Sequence, residues 1–380
     1  MRRAGITRQL LGGLTHDRFL ARHWQREPLF VKAAIDPAEL ALAPDVLRGW
    51  SMRDDVESRL IQRRGKRWLL EQGPLQDWPQ TPRDWTVLIQ GANLLSPSVD
   101  RVLDRFRWLP HARIDDIMIS HAAIGGGVGP HLDSYDVFLV QGQGRRRWRV
   151  GPVADPEWVA GAPLKLLANF EADAEYLCEP GDLLYVPPGW GHEGVALEPC
   201  TTWSVGFRAP SNQELVSDFV ATLADDLEIE GRYGDPGLKA PRHAARVPES
   251  MVDALAVALE QVRWSRDDLA AFMGEYLSEP KATTLFTTAS KRLGQAAFAA
   301  QARRRGVSLD AATRMLYDRV RVFINGEPFE ASNHDRRFLR ALAEHRRASP
   351  AELADCPATT LPALHDWYLA GWIHLGHSLE

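Results

Sequence analysis

Short apolar runs separated by glycine and proline turns fill the chain up to Pro210, and this texture constrains the fold more than any other feature. The runs are rich in Val, Ile, Leu and Trp, which favour strands, and most are too short for buried helices. Many short strands with such punctuation indicate a sandwich or a barrel. Representative runs are EPLFVKAA, DWTVLIQG, DDIMISHAAIGGGVG, DVFLVQG, RRRWRVG, GDLLYVPPG and CTTWSVGF.

The pattern becomes helical after Pro210. Ser211 and Glu214 have the spacing of a capping box at the start of SNQELVSDFVATLADDL. Further helical segments continue to about Leu277. The segment that begins at Ser211 carries one apolar stripe: Leu215, Phe219, Leu223 and Leu227. Such a stripe fits either a helix that covers the barrel or a helix that meets a second copy of the chain.

A smaller module closes the chain. Asn325-Gly326 stands between two apolar runs, which is a strong hairpin signal. Three helical patterns follow, the last of them over residues 360–375. We therefore predict three parts: a β-rich catalytic domain over 1–210, a helical region over 211–300 and a small α+β module over 301–380.

Charge and cysteine content exclude several classes of protein. A net charge of -5 and a pI near 6.2 leave no basic surplus for non-specific binding to nucleic acid or anionic membranes. Cys178, Cys200 and Cys356 form no CxxC motif and cannot all pair, which indicates a reducing compartment. The chain has no apolar run of roughly 18 residues, the length that a membrane span needs. We expect a cytoplasmic protein without a membrane segment.

Two histidines and one aspartate form a candidate metal site. His131 and Asp133 stand two residues apart, so on a strand they project from one face. A hydrogen-bonded surface pair is the alternative. His192 follows a Pro-Pro-Gly corner, where Gly191 permits a close approach of the backbone; a solvent-facing loop histidine is the alternative there. Two imidazoles and a carboxylate form the facial set that leaves positions open on non-haem Fe(II), which predicts catalysis.

One arginine of the run RRRWRVG is predicted to point inward. Strand alternation places Arg146 on the face of Trp148 and Val150, whereas its arginine neighbours face the other way, toward solvent. An uncompensated guanidinium on a buried face is costly, so Arg146 needs an anionic partner. A small dicarboxylate ligand bound in a bidentate manner satisfies it. A buried salt bridge to a residue such as Asp136 is the alternative.

Taken together, these motifs resemble the JmjC-type oxygenases that depend on 2-oxoglutarate and Fe(II), and more closely their bacterial ribosomal oxygenase subgroup. The stretches that carry the resemblance are HWQREPLFVKAA, GGGVGPHLDSYDVFLVQGQGRRRWRVG and GDLLYVPPGWGH. The resemblance implies an α+β protein with a double-stranded β-helix, the jelly-roll barrel of JmjC and cupin proteins. A helical dimerisation region and a C-terminal winged-helix module would follow this barrel.

The resemblance also implies roles for individual residues. His131, Asp133 and His192 would bind the iron, and Arg146 would bind the distal carboxylate of 2-oxoglutarate. Ser120 is a further candidate contact to 2-oxoglutarate, although a plain structural hydroxyl is an equal alternative. Fe(II), 2-oxoglutarate as cosubstrate and dioxygen are then the expected cofactors. The implied reaction hydroxylates an arginine of large-subunit ribosomal protein sixteen and releases succinate and carbon dioxide, and the implied assembly is a homodimer.

A substrate arginine would require acidic or aromatic surroundings, for which the sequence offers unranked candidates: Asp115, Asp116, Asp136 and Glu193. Two other classes of function stay open. A non-redox metal-binding cupin would leave the inward arginine without a role. A winged-helix DNA regulator would use the barrel as a sensor, but its candidate recognition helix over 360–375 contains no Lys or Arg, which argues against nucleic-acid binding.

Overall fold

The computed structural model describes residues 9–225, 227–289 and 291–376. The outermost residues of the predicted first and last domains, 1–8 and 377–380, lie outside this described part. The chain forms two compact units, of which the first comprises residues 1–209, 281–313 and 346–380 and the second comprises 210–280 and 314–345. The predicted domain boundaries after residues 210 and 300 stay predictions.

Antiparallel strands dominate the first unit up to residue 209. They are β1 (Leu29–Val31), β2 (Ser58–Arg64), β3 (Arg67–Gln72), β4 (Trp85–Ile89), β5 (Ile114–Ala122), β6 (His131–Leu132), β7 (Val137–Gln141), β8 (Arg146–Pro152), β9 (Ala174–Cys178), β10 (Leu183–Val186), β11 (Trp190–Ala196) and β12 (Cys200–Phe207). Eight of them form one sheet in the order β1-β10-β7-β12-β5-β4-β2-β3, and the other four form a second sheet in the order β6-β11-β8-β9.

Apolar side chains of the two sheets pack against each other and fill the space between them. Val137 and Leu139 of the large sheet share a buried cluster with Trp148 and Val150 of the small sheet. Burial of each such side chain stabilises the fold by about 1.5–3 kcal/mol. This arrangement confirms the double-stranded β-helix.

Short helices cover the barrel: α1 (His16–Arg22), α2 (Pro44–Ser51), α3 (Ala92–Leu95) and α4 (Pro97–Leu103), with 3-10 turns at Pro37–Leu40 and His111–Arg113. Thr15 caps α1, because its side chain accepts a hydrogen bond from the backbone N–H of Arg18. The helix buries Phe19, whose ring centroid lies 5.0 Å from that of Tyr185 and 5.7 Å from that of Phe138. Aromatic packing thus fixes α1 on the large sheet.

Beyond the barrel the chain continues through α5 (Asn212–Asp225), α6 (Glu249–Leu259), α7 (Arg266–Ser278), α8 (Gln295–Arg305), β13 (Val307–Leu309), β14 (Met315–Tyr317), β15 (Arg321–Ile324), β16 (Glu327–Glu330), α9 (Asn333–His345), β17 (Arg347–Ala348), α10 (Pro350–Ala354), α11 (Leu361–Ala370) and β18 (Ile373–Leu375). The first unit contains α8, β13 and everything from β17 onward, and the second unit contains the rest.

In the first unit, β13 is the central strand of a small sheet with β17 and β18. Helix α11 ends earlier than the predicted helix over 360–375. Gly371 adopts the left-handed conformation, φ +81°, that caps a helix, so the chain turns there and Ile373–Leu375 pairs with β13 as a strand. The last part of that prediction was therefore wrong.

Arg346 links the two stretches of the first unit that precede and follow the segment 314–345. The backbone N–H of Leu309 donates to the carbonyl of Arg346 at 2.8 Å, extending the β13–β17 ladder. The partly buried Arg346 guanidinium donates to the carbonyls of Asp310 at 2.6 Å and Thr313 at 2.7 Å. The chain therefore leaves the first unit and returns to it at nearly the same point.

In the second unit, the predicted capping box is present. The backbone N–H of Ser211 donates to Glu214 Oε2 at 2.6 Å, and the backbone N–H of Glu214 donates to Ser211 Oγ at 3.1 Å. The Phe219 ring of α5 packs edge-on against Phe272 of α7, with ring centroids 5.4 Å apart. The described residues between 227 and 248 form no helix, so the helical region is interrupted there.

The predicted hairpin at Asn325-Gly326 is also confirmed. Both residues have positive φ, 51° and 86°, and they join the antiparallel strands β15 and β16. Asparagine and glycine tolerate this conformation best, which explains the turn. Across all described residues, no helix combines the length and the apolar character that crossing a bilayer requires.

Candidate active site

The three predicted metal ligands lie together in the small sheet. His131 of β6 is directly opposite His192 of β11 in the antiparallel ladder, and their ring centroids are 4.1 Å apart. Asp133 follows β6, and its Oδ2 lies 3.5 Å from His192 Nε2. One ligand atom from each residue lies within 4.8 Å of the other two. This spacing suits a single metal ion held by two imidazoles and one carboxylate.

Backbone carbonyls orient both imidazoles. His131 Nδ1 lies 3.0 Å from the carbonyl oxygen of Gly129, and His192 Nδ1 lies 3.3 Å from that of Trp190. An Nδ1–H that donates to each carbonyl leaves the Nε2 lone pair available to a metal, as is usual for metal-binding histidines. Burial, together with the nearby His131, lowers the pKa of His192 to about 4. The residues therefore fit a divalent metal ion.

Gly191 supports the position of His192, as the sequence predicted. A Cβ at Gly191 would lie 2.8 Å from Val153 Cγ2 and 2.9 Å from Phe170 Cδ2, so any side chain there would displace the packing of the strand. His192 itself is 2% exposed. His192 lies on strand β11, so the alternative of a solvent-facing loop histidine is wrong.

Arg146 points into the barrel from β8, as alternation predicted, and is 4% exposed. Its Nη1 lies 3.4 Å from Ser120 Oγ on the facing sheet, while its Nε and Nη2 have no hydrogen-bond partner. The alternative salt bridge to Asp136 is wrong, because the Asp136 carboxylate accepts from Tyr185 at 2.6 Å and Arg113 at 3.0 Å. Within the described ranges, no carboxylate pairs with Arg146.

The two free nitrogens of Arg146 form one edge of the guanidinium. That edge presents parallel N–H donors, the geometry in which arginine binds a carboxylate with two hydrogen bonds. A buried guanidinium without a counter-charge is strongly unfavourable, so the site is arranged for an anion that enters from outside the chain. The donor set thus fits one carboxylate of a small dicarboxylic acid, and Ser120 lies beside it.

Two residues near the site escaped the sequence analysis. His121 is partly buried, its ring stacks on Trp78 at 4.9 Å, and its Nδ1 has no partner. Burial and then the charge of Arg146 lower its pKa to about 4. Tyr135 is 39% exposed, and its pKa is raised because partial desolvation of the hydroxyl and the charges of Asp133, Asp116 and Asp115 disfavour the phenolate. Tyr135 continues the alternate spacing of His131 and Asp133, and this spacing could have identified it from the sequence.

The four acidic candidates have different surroundings. Glu193 pairs with Arg149 at 3.1 Å, and Asp136 belongs to the hydrogen-bonded core described above. Asp115 and Asp116 instead share one lysine, since Lys281 Nζ lies 3.1 Å from Asp115 Oδ2 and 2.7 Å from Asp116 Oδ2. A Cβ at Gly206 would lie 3.9 Å from the Tyr135 ring and 4.0 Å from the Asp116 carbonyl oxygen, so the Asp116 backbone passes close to Tyr135. The Asp116 carboxylate is buried and also accepts from Gln90 Nε2 at 2.8 Å.

Comparison with known families agrees with this geometry. Residues 101–215 match the JmjC domain, and residues 261–374 match the ROXA-like winged helix. The first match contains the three candidate metal ligands together with Arg146 and Ser120. The second confirms that a winged-helix module lies in the C-terminal part of the chain.

Individual relatives extend the similarity to most of the chain. The ribosomal protein uL16 3-hydroxylase of Escherichia coli K12 is 39% identical over 266 residues, which cover 69% of this chain and 71% of the relative. A probable ribosomal oxygenase of Haemophilus influenzae is 34% identical over 209 residues, 53% of this chain and 52% of the relative.

Solved structures give the same result. The X-ray structure of E. coli YcfD superposes with a TM-score of 0.82 at 32% identity, covering 95% of this chain and 98% of that one. The structure of the same ribosomal oxygenase in complex with cobalt and 2-oxoglutarate gives a TM-score of 0.79 at 33% identity, with the same coverage. On fold, site and similarity together, the chain belongs to the bacterial JmjC-type ribosomal oxygenases.

Proposed function

We propose that this chain hydroxylates an arginine side chain of a ribosomal protein, large-subunit protein sixteen, and releases succinate and carbon dioxide. JmjC oxygenases depend on Fe(II) and 2-oxoglutarate, and this chain shares both requirements together with dioxygen. One observation carries the proposal: a His-Asp-His set and a buried, half-unpaired arginine line the interior of one barrel. A non-redox cupin would leave this arginine without a role, which weighs against that alternative.

Different residues of the chain bind the metal and the cosubstrate. His131, Asp133 and His192 hold the metal, and the carbonyls behind both histidines keep each Nε2 directed toward it. The free edge of Arg146 holds the distal carboxylate of 2-oxoglutarate, and Ser120 supports the same guanidinium from the facing sheet. Binding across both sheets fixes the cosubstrate in one orientation.

With cosubstrate and dioxygen bound, the iron supplies the oxidising power for inserting oxygen into an unactivated C–H bond. Apolar side chains exclude water from this part of the barrel, since Trp148 and Val150 are buried on the same strand as Arg146. Exclusion of water strengthens the charge-assisted bonds of Arg146 and protects a reactive centre from side reactions. The substrate side chain must therefore enter from the side of Asp133 and Tyr135, where both residues are partly exposed.

The acidic pair Asp115 and Asp116 can supply the carboxylate that an arginine substrate needs. Asp115 and Asp116 share the Lys281 ammonium, Asp115 also pairs with Arg208 at 3.6 Å, and the charges of both carboxylates act on the Tyr135 hydroxyl. A guanidinium can form two parallel hydrogen bonds to a carboxylate and also pack on an aromatic face, which an ammonium does less well. We infer that the substrate guanidinium replaces Lys281 at Asp116 when it binds.

Exposed apolar side chains support the proposal of a homodimer. Val216 and Val220 of α5 are 61% and 55% exposed, and Leu255 and Leu259 of α6 are 60% and 59% exposed. The apolar stripe predicted for α5 is not this exposed surface, since its residue Phe219 packs on α7 within the same chain. A face of this kind on two successive helices is typical of a surface that meets a partner, here a second copy in an isologous contact.

The direct test combines the purified chain, Fe(II) and 2-oxoglutarate with ribosomal proteins extracted from large subunits. We expect succinate formation that depends on the ribosomal proteins. Tandem mass spectrometry should find the mass of one added oxygen on an arginine of protein sixteen. A modified histidine in place of arginine would contradict the arginine assignment, and an unmodified protein sixteen with another protein hydroxylated would contradict the choice of substrate.

A further inference from the structure

Four arginines of the second unit line a single cleft of about 320 Å³, together with Asn333. Arg336, Arg337 and Arg340 lie on helix α9, and their spacing from Asn333 places all four residues on one face of that helix. Arg319 reaches the cleft from the turn that precedes β15. A cluster of this density stands out in a chain whose net charge is -5.

Neutral groups, not carboxylates, hold the two inner arginines. Arg336 and Arg340 donate to backbone carbonyl oxygens of residues 318–320, at 2.9 to 3.4 Å. The nearby carboxylate of Asp318 is engaged by Arg321 at 3.1 Å. The carbonyls fix the positions of the guanidinium groups and leave their positive charges in place.

The two outer arginines, Arg319 and Arg337, are exposed, and their side chains form no hydrogen bond or ion pair with the described part of the chain. Like charges held close together repel, so this arrangement lowers the stability of the unit unless an anion binds. Arginine forks match phosphate oxygens in a bidentate manner. The cleft is therefore built for a phosphate group.

An aromatic ring stands next to these charges. Tyr317 is 39% exposed, and the Arg340 guanidinium lies 5.1 Å from the centre of its ring. A positively charged groove beside an exposed aromatic ring is the combination that binds single-stranded nucleic acids, since phosphates bind the groove and a base stacks on the ring. An acidic peptide would use the charges but not the ring.

We propose that this cleft binds the phosphodiester backbone of a single-stranded nucleic acid, with Tyr317 as a stacking platform. The proposal does not depend on the function proposed above. It revises the expectation against nucleic-acid binding, which rested on the composition of residues 360–375, because the basic surface lies on α9 instead.

The test uses the full-length chain and fluorescently labelled oligouridine and oligothymidine of about 12 nucleotides, a length within the usual site sizes. Fluorescence anisotropy measured from roughly 50 to 300 mM salt gives the dissociation constant and its salt dependence. We expect saturable binding that weakens steeply with salt. Binding of an oligoglutamate peptide with no binding of either oligonucleotide would overturn the proposal.

The decisive variant is Arg319→Gln/Arg337→Gln, because neither side chain supports the fold. Removing two phosphate contacts should weaken binding at least about tenfold and reduce the salt slope by about 1 to 1.5. Arg18→Gln/Arg101→Gln removes the same charge from exposed helix positions of the first unit and is the matched control. Equal losses in both variants, or unchanged binding by the first, would refute the cleft as the site.

A second variant separates stacking from charge. Tyr317→Leu keeps every arginine and removes the aromatic ring, so we expect about tenfold weaker binding with an unchanged salt slope. An unaltered dissociation constant for this variant would contradict the single-stranded assignment.

Discussion

His131 and His192 occupy directly opposed positions of one antiparallel ladder, and this cross-strand relationship brings the two imidazoles within 4.1 Å of each other. The register of β6 against β11 therefore determines whether a metal site exists. A slip of one residue would move one histidine to the opposite face of the sheet. The close packing around Gly191 protects this register.

Loss of one imidazole should abolish metal binding without unfolding the barrel. For His192→Ala we expect turnover to fall at least about a hundredfold, and binding of Co(II), followed by calorimetry, to weaken at least as much. His243→Ala removes an exposed histidine of the second unit and serves as the control. Wild-type turnover by the His192 variant would show that the metal lies elsewhere.

The neighbouring arginines 145 and 146 should differ sharply in their importance for 2-oxoglutarate. Arg146→Ala removes a buried charge-assisted contact, and we expect the apparent KM for 2-oxoglutarate to rise about 30-fold or more. Arg145 is exposed and pairs with Glu198 at 3.2 Å, so Arg145→Ala should leave the KM unchanged. Steady-state succinate formation measures both values, and similar effects from the two variants would refute the role of the inward face.

Substitutions of Asp116 and of Lys281 should change the KM for the ribosomal-protein substrate in opposite directions. Asp116→Asn should raise the KM for the ribosomal-protein substrate about tenfold or more, because a charged partner of the guanidinium is lost. Lys281→Met should lower the same KM, because the competing ammonium is removed. Kinetics with the protein substrate, at saturating 2-oxoglutarate, measure both. If the lysine variant also binds substrate more weakly, Lys281 is a structural partner and no competitor.

His121 should make the free energy of unfolding depend on pH. Its pKa is lowered in the folded protein to about 4, so the unfolded state binds more protons between that value and the ordinary 6.5. Stability is therefore expected to fall as the pH is lowered from 6.5 toward 4, by on the order of 2 kcal/mol. In His121→Phe, which keeps a ring on Trp78, this part of the pH dependence should disappear from denaturant titrations. An identical pH profile in both proteins would contradict the prediction.

Charges on the exposed helical face should release monomers. We expect the wild-type chain to sediment as a dimer at micromolar concentration and Val220→Asp/Leu255→Asp to sediment as a monomer with its helix content retained. Leu223 is a poorer position for this test, because it is half-buried within the chain. Val159→Asp/Leu177→Asp places the same charges on exposed apolar positions of the first unit. A monomeric wild-type chain would rule the dimer out.

Local sequence signals were sufficient wherever neighbouring residues determine the geometry. The inward face of Arg146 follows from alternation with Trp148, and the turn at Asn325-Gly326 follows from the positive φ that these residues tolerate. The same reasoning failed for residues 360–375, where a helical composition continued past Gly371 although the backbone turned there. Composition alone did not reveal that the final residues pair with β13.

Long-range contacts could not be predicted in this way. No periodicity indicates that Lys281 reaches Asp115 and Asp116, because strand and helix patterns constrain only nearby residues. The arginine cleft was missed for a related reason. Its residues come from α9 and a preceding turn, and the sequence analysis weighed basic character only on the expected recognition helix.

The contacts of Arg346 with Asp310 and Thr313 keep the two ends of residues 314–345 close together in the first unit. All four cleft arginines and Tyr317 belong to that segment, whereas every candidate iron ligand lies in the barrel strands or directly after them. The proposed oxygenase site and the proposed nucleic-acid cleft therefore share no residue, so each can be altered by substitution without removing a side chain of the other.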